Sequence, residues 1–206
     1  MVGIVDYGVG NLFSLRSSFA AIGQEAVILS RPEELQTAER ILLPGVGAFE
    51  DAAAKLRRTG MDQALREAAA RGTPLLGVCL GMQLLFERSF EYGEHPGLGL
   101  LKGEITPLSG RIPPELKIPQ MGWNSLQILR ESPLLKYTQE GDFVYFVHSY
   151  SATGCAESLL AVCDYGSEIT ACVGRDNIFG CQFHPEKSGR VGLQILRAFC
   201  ETEGCP

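Results

Sequence analysis

The pentapeptide Gly77-Val78-Cys79-Leu80-Gly81 puts a cysteine where a thiol can be made nucleophilic. It follows the apolar run Thr73-Pro74-Leu75-Leu76 and precedes Met82-Gln83-Leu84-Leu85-Phe86-Glu87, whose spacing predicts a helix. Glycines two residues to either side permit a tight strand-to-helix turn, because a side chain there would collide with the neighbouring backbone. Such a turn lifts the thiol out of the core. The helix then aims unpaired N–H groups and its positive dipole end at the sulfur, which favours thiolate. Cys155, Cys163, Cys172, Cys181, Cys200 and Cys205 lack these flanks and read as small buried hydrophobes. Taken alone, Cys79 fits a core thiol as well as a nucleophile.

A thiol nucleophile needs a base, and the base needs an orienting group. The chain has three histidines. His95 falls in the turn-like Gly93-Glu94-His95-Pro96-Gly97 and His148 in a strand pattern, so both read as surface or structural residues. His184 closes the strand Ile178–Phe183 and precedes Pro185 and Glu186. A residue before proline is pushed into an extended conformation, so His184 and Glu186 are expected to project to one side. A carboxylate on one imidazole nitrogen would then leave the other facing the thiol, as in a triad. Acyl transfer also needs oxyanion donors. The Leu80 N–H is the first candidate. The loop Pro44-Gly45-Val46-Gly47 is the second, and its glycines would let a peptide face either way. Gln83, four residues after Cys79, is expected over the same helix face, with Glu87 and Glu91 continuing that spacing. A substrate amino group would need a carboxylate there.

These residues must be positioned by the elements around them. Met1–Asp6, Ala26–Ser30, Arg40–Leu43 and Pro74–Val78 read as apolar strands, and Asn11–Ala21, Ala48–Arg58 and Met61–Arg71 as helices. That alternation predicts an α/β fold with a mostly parallel central sheet flanked by helices. Gly103–Leu108, Asp142–Tyr150, Ser158–Asp164, Ile169–Val173 and Ile178–Phe183 predict an antiparallel extension of the sheet, closed by a helix over Val191–Cys200. Ligands bind at the carboxyl ends of such parallel strands, where the loops Tyr7–Asn11, Pro44–Gly47 and Cys79–Gly81 should converge.

The 206 residues suit one domain spanning 1–206. A net charge of −6 offers no basic field for nucleic acid, and no apolar run reaches membrane-spanning length. The start has no signal-peptide pattern, and the seven cysteines show no C-x-x-C spacing. Together these point to the cytoplasm and to no metal. Gly8-Val9-Gly10 has Phe13 where a dinucleotide fingerprint needs its third glycine, so no nucleotide cofactor is expected.

With Cys79, His184 and Glu186 in that order, the chain resembles the class I (triad) glutamine amidotransferases, which carry a flavodoxin-like sheet. The resemblance extends through Asp6–Leu12, Leu43–Phe49, Gly77–Leu85, Pro119–Asn124 and Tyr145–Tyr150, from Met1 to the last helix. It implies that Cys79 attacks the side-chain amide of L-glutamine while His184 moves the proton and Glu186 orients His184. Leu80, Gly45, Val46 and Gly47 would form the oxyanion hole, and Gln83 and Glu91 would hold the amino acid end. The five segments are most similar to a member that passes ammonia to a separate (β/α)8-barrel cyclase subunit, in a heterodimer and without a cofactor. Asn11, Trp123, Tyr145 and Lys187 match interface positions of that member, and the Gly45–Gly47 loop would turn inward only in the complex. Two rivals keep the triad: a stand-alone γ-glutamyl hydrolase and the glutaminase partner of pyridoxal phosphate synthase. A redox-sensing binding module would account for Cys79 but not for His184-Pro185-Glu186.

Overall fold

Strands too short and too apolar to have an exposed face alternate with amphipathic helices through the first half of the chain. The computed structural model describes residues 1–204, so Cys205 lies outside the described residues. Strands β1 (Val2–Val5), β2 (Ala26–Leu29), β3 (Arg40–Leu43) and β4 (Leu75–Val78) pair in parallel with helices α1 (Leu12–Ala21), α2 (Phe49–Thr59) and α3 (Met61–Ala70) between them. All four residues of β4 are buried, as expected of a strand covered on both faces. Phe49, Ala52, Ala53 and Leu56 form the buried stripe of α2, and Gly60, at φ +74°, ends that helix and starts α3. One core packs Ile4, Leu42, Leu76 and Val78 against Leu15 and Phe19 of α1. The other packs Val5, Ile41, Leu43 and Leu75 against α2 and α3. These elements agree with the sequence reading to within a residue or two.

The second half departs from it in two ways. The helix after Cys79 is only α4 (Leu80–Leu84), and the chain turns directly into β5 (Phe86–Ser89). The Leu98 N–H donates to Leu84 O at 2.8 Å, and those of Leu100 and Leu101 donate to Leu85 O at 2.8 and 3.0 Å. The carbonyls a longer helix would need are thus already taken. Glu87 consequently leaves the predicted helix face and accepts from the Gly103 N–H at 3.0 Å.

Secondly, only part of the predicted extension joins the central sheet. Strands β12 (Leu159–Asp164), β13 (Glu168–Arg175) and β14 (Ile178–Cys181), with the short β9 (Gln127–Ile128), complete the order β2-β1-β3-β4-β14-β13-β12-β9. The first five strands are parallel in the flavodoxin-like 2-1-3-4-5 arrangement, and the rest are antiparallel. The segment read as one strand over Asp142–Tyr150 breaks at Ser149 instead. Its first part, β10 (Phe143–His148), pairs with β8 (Gln120–Ser125). Its second part, β11 (Tyr150–Thr153), joins β7 (Leu101–Pro107), β5 and β6 (His95–Pro96) in a separate sheet. The helix α5 (Gly189–Cys200) packs on the α1 side, and among the described residues no helix is long and apolar enough to cross a membrane.

The β13–β14 turn fixes where β4 begins. The Asn177 side-chain amide donates to Ala69 O at 2.9 Å and Thr73 O at 2.8 Å, while its own carbonyl accepts from the Leu75 N–H. Asn177→Ala would leave two buried carbonyls without this donor, so unfolding in urea should show a loss of about 2 kcal/mol.

Candidate active site

Cys79 adopts φ +54° and ψ −113°, outside the ordinary regions for a residue with a side chain. Such a conformation costs roughly 1–3 kcal/mol and persists only where its surroundings enforce it. The Cys79 N–H donates to Cys181 O at 2.7 Å, and Cys79 O accepts the Gln83 N–H at 3.1 Å, so both ends of the residue are tied. The flanking glycines are there for close approach. A Cβ on Gly81 would sit 1.9 Å from Leu43 O, and one on Gly77 would sit 2.6 Å from the Met82 Cα.

The strand β14 leads into His184. His184 is extended (φ −98°, ψ 102°), as expected before proline, but Glu186 meets it by a different route. Residues Pro185–Lys187 form a single 3-10 turn that curls Glu186 back, so Nδ1 of His184 lies 2.8 Å from Oε1 of Glu186. Both side chains are buried. Burial alone would lower the His184 pKa, but hydrogen bonds and charge from Cys79 and Glu186 outweigh it and raise the value to about 9. Ser188 holds the backbone here, donating to His184 O and accepting from the Tyr145 N–H at 3.0 Å.

Cys79 and His184 open into a cleft of about 330 Å³ that is also lined by Val46, Gly47, Leu80, Gln83, Glu91, Val147, His148, Ser149 and Tyr150. That volume suits a small ligand. Leu80 is the first residue of α4, so its N–H has no intrahelical partner and is free to donate at the nucleophile. Gly45 lies against it, since a Cβ there would meet the Gly81 nitrogen at 2.6 Å. Tyr7, which sequence reasoning did not single out, supports the same loop by donating its hydroxyl to Pro44 O at 2.9 Å. Burial, with the nearby Cys79 charge, raises the Tyr7 pKa far enough to keep that phenol protonated.

Gln83 reaches the cleft from α4 as expected. Glu91 reaches it without the expected helix. It sits in the turn after β5 and accepts the Phe49 N–H at 2.6 Å, which anchors it to the start of α2. His148 is neither a surface residue nor remote from the chemistry. It is buried in the cleft wall with Nδ1 2.9 Å from Tyr150 O, and burial lowers its pKa to about 4. A backbone carbonyl can only accept, so the His148 Nδ1 carries a proton.

On the β8–β10 ribbon, the Trp123 and Tyr145 rings pack edge-on at 6.0 Å, and Lys187 Nζ stands 5.7 Å above the Tyr145 ring. Trp123 is 52% exposed. Asn11 caps α1 by accepting the Ser14 N–H. It follows β1, so it lies at the same edge of the sheet as the cleft.

The family model described as glutamine amidotransferase class-I matches residues 3–202. The imidazole glycerol phosphate synthase subunit HisH of Lactococcus lactis subsp. lactis is 49% identical over 199 residues, 96% of each chain. Its namesake from Caldanaerobacter subterraneus subsp. tengcongensis is 48% identical over the whole of both chains. The Wolinella succinogenes relative of that name is 50% identical over 98% of this chain and 99% of its own. A crystal structure of a glutamine amidotransferase superposes with a TM-score of 0.76 at 19% identity, covering 97% of each chain. PurLQS from Thermotoga maritima gives 0.76 at 21% identity, over 97% of this chain and 96% of its own. At such identities the two structures speak to the fold alone.

The raised His184 pKa has a sign that can be measured. The protonated ring is favoured by folding, so its contribution to stability is complete below the ordinary histidine value and disappears as pH rises through about 9. An NMR titration should show the His184 ring losing its proton near that pH. Glu186→Gln removes one of the groups that raise the value, so the midpoint should move to lower pH.

Proposed function

We infer, because this chain belongs to the class I glutamine amidotransferases, that it serves as the glutaminase subunit of an imidazole glycerol phosphate synthase. It hydrolyses L-glutamine to glutamate and ammonia for histidine biosynthesis. The near-full-length identity of 48–50% to subunits of that name supports this assignment. The single geometric observation that carries the mechanism is the strained Cys79, placed in one cleft with a His184 whose Nδ1 lies 2.8 Å from the Glu186 carboxylate.

Each step follows from an atom already placed. The Cys79 sulfur adds to the side-chain amide carbon of glutamine, and the carbonyl oxygen takes up the negative charge. The Leu80 N–H and a peptide N–H from the Gly45-Val46-Gly47 loop stabilise that oxyanion. His184, as imidazolium, gives its proton to the amide nitrogen, the C–N bond breaks and ammonia leaves. The remaining γ-glutamyl thioester is attacked by water, with neutral His184 taking the proton, and glutamate departs as the thiol is restored. Glu186 holds His184 in the tautomer and orientation both halves need. Gln83 and Glu91 hold the α-amino end of the substrate.

The partner is a (β/α)8-barrel cyclase that receives the ammonia in a heterodimer. Exposed Trp123, the Tyr145 and Lys187 stack, and Asn11 form the docking face. Val46, itself 44% exposed, lies between two glycines, and we place the switch there: its peptide turns a donor into the cleft only in the complex. The cytoplasm is the site of action, a compartment suited to the six unpaired thiols among the described residues.

Ammonia release is the decisive measurement, made with the chain alone, with a cyclase subunit, and with cyclase plus its nucleotide substrate. Release should rise at each addition; equal rates throughout would sink the proposed gate and partner. Cys79→Ala should lower glutamine-dependent turnover at least ~1,000-fold while synthesis from added ammonia persists. Trp123→Ala should weaken association with the cyclase roughly tenfold or more, read by titration calorimetry.

A further inference from the structure

Gln182 is fully buried beside the catalytic machinery, and no step above uses it. Its side chain spans two residues that the mechanism does use. Oε1 accepts from the Gln83 amide at 3.0 Å, and Nε2 approaches the Cys79 sulfur at 3.9 Å. Its backbone N–H donates to Ala171 O at 2.9 Å, which fixes the residue to β13.

The polarity of this relay is forced from its far end. Tyr150 O is a carbonyl and can only accept; it takes the Gln83 Nε2 at 2.9 Å and the His148 Nδ1 at 2.9 Å, one for each lone pair. The Gln83 group facing Tyr150 is therefore its NH2, and the second hydrogen of that NH2 points at Gln182. The Gln182 atom that receives it must be oxygen. It follows that the Gln182 group facing Cys79 is an NH2, a donor. A sulfur that has given up its proton is stabilised by a donor and opposed by an acceptor. At the other end, both Gln83 hydrogens are spent, so the polar atom Gln83 keeps for a ligand is its carbonyl oxygen. An oxygen, and not an NH2, is what a substrate ammonium group needs.

We propose that Gln182 is a positioning residue for glutamine hydrolysis: oriented through Gln83 by the Tyr150 carbonyl, it presents a donor to the Cys79 sulfur and locks Gln83 with its oxygen toward the substrate. This inference rests on the reading of Cys79 as the nucleophile and of Gln83 as a substrate ligand. Its two ends make separable demands. Gln182→Met removes donor and acceptor at nearly constant volume. Gln182→Glu keeps the acceptor for Gln83 and loses the amide donor to sulfur.

The experiment uses the full chain with its cyclase subunit, and follows ammonia release together with the pH dependence of Cys79 alkylation by iodoacetamide. Gln182→Met should raise KM for glutamine, lower kcat and move the alkylation midpoint upward, each by roughly tenfold or its equivalent of one pH unit. Gln182→Glu should leave KM within about twofold, lower kcat by a similar factor and also move the midpoint upward. Unchanged alkylation midpoints and an unchanged KM in Gln182→Met would overturn the proposal. Should both variants fail to fold, the wild-type protein still decides: the Gln182 side-chain amide signal should shift on carbamidomethylation of Cys79, and a signal that stays in place would overturn the contact. A wild-type complex that released no ammonia from glutamine would defeat the functional reading, while the alkylation and amide measurements would still judge the Gln182–Cys79 contact.

Discussion

The contact on which the site depends is a backbone-to-backbone approach between β3 and the start of α4. Leu43 O lies where a Cβ of Gly81 would otherwise be, and the position of a Gly45 Cβ is blocked by the Gly81 nitrogen. With those two glycines and Gly77 in place, two loops from neighbouring strands close to a separation no larger residue allows. The same closeness does two jobs. It holds Cys79 at a positive φ that it would leave if space opened, and it sets the Leu80 N–H beside the Gly45–Gly47 loop. Cys79 and the Leu80 N–H are therefore not independent features, because a change that widens the gap moves both.

Charge in the cleft is divided with similar economy. Two buried histidines share it, and their environments push them apart: His184 to about 9, His148 to about 4. Burial disfavours the charged form of each. For His184 the Cys79 sulfur and the Glu186 carboxylate supply compensating negative charge, whereas His148 meets only a carbonyl dipole and feels the positive charge of His184. The same burial thus has opposite net outcomes in the two rings, set by the charges each one faces.

How much of this was legible in the sequence depends on the range of the interactions involved. The elbow, the apolar strands and the pre-proline histidine are local signals, and they place Cys79, His184 and the parallel half of the sheet correctly. Glu91 lines the cleft without the longer helix that the spacing predicts, because the helix stops at Leu84 where residues 98–101 capture its last carbonyls. No local pattern announces that capture. The split of the predicted Asp142–Tyr150 strand at Ser149 has the same origin, since one continuous apolar run is shared between two sheets. Tyr7 and Gln182 give no individual signal because each acts through a partner distant in sequence, such as Pro44 O for Tyr7 and Cys79 for Gln182, and a lone polar residue in an apolar run does not reveal its contact.

Several large apolar side chains are exposed to solvent: Phe13 is 81% exposed, Met121 63% and Trp123 52%. Exposed hydrophobes of this size mark contact surfaces for other macromolecules. Met121 and Trp123 lie on β8, whose partner β10 runs to His148 in the cleft wall, and the Tyr145 carbonyl on β10 accepts the His184 N–H at 3.0 Å. A single hydrogen-bonded ribbon therefore connects this exposed face to the backbone of His184.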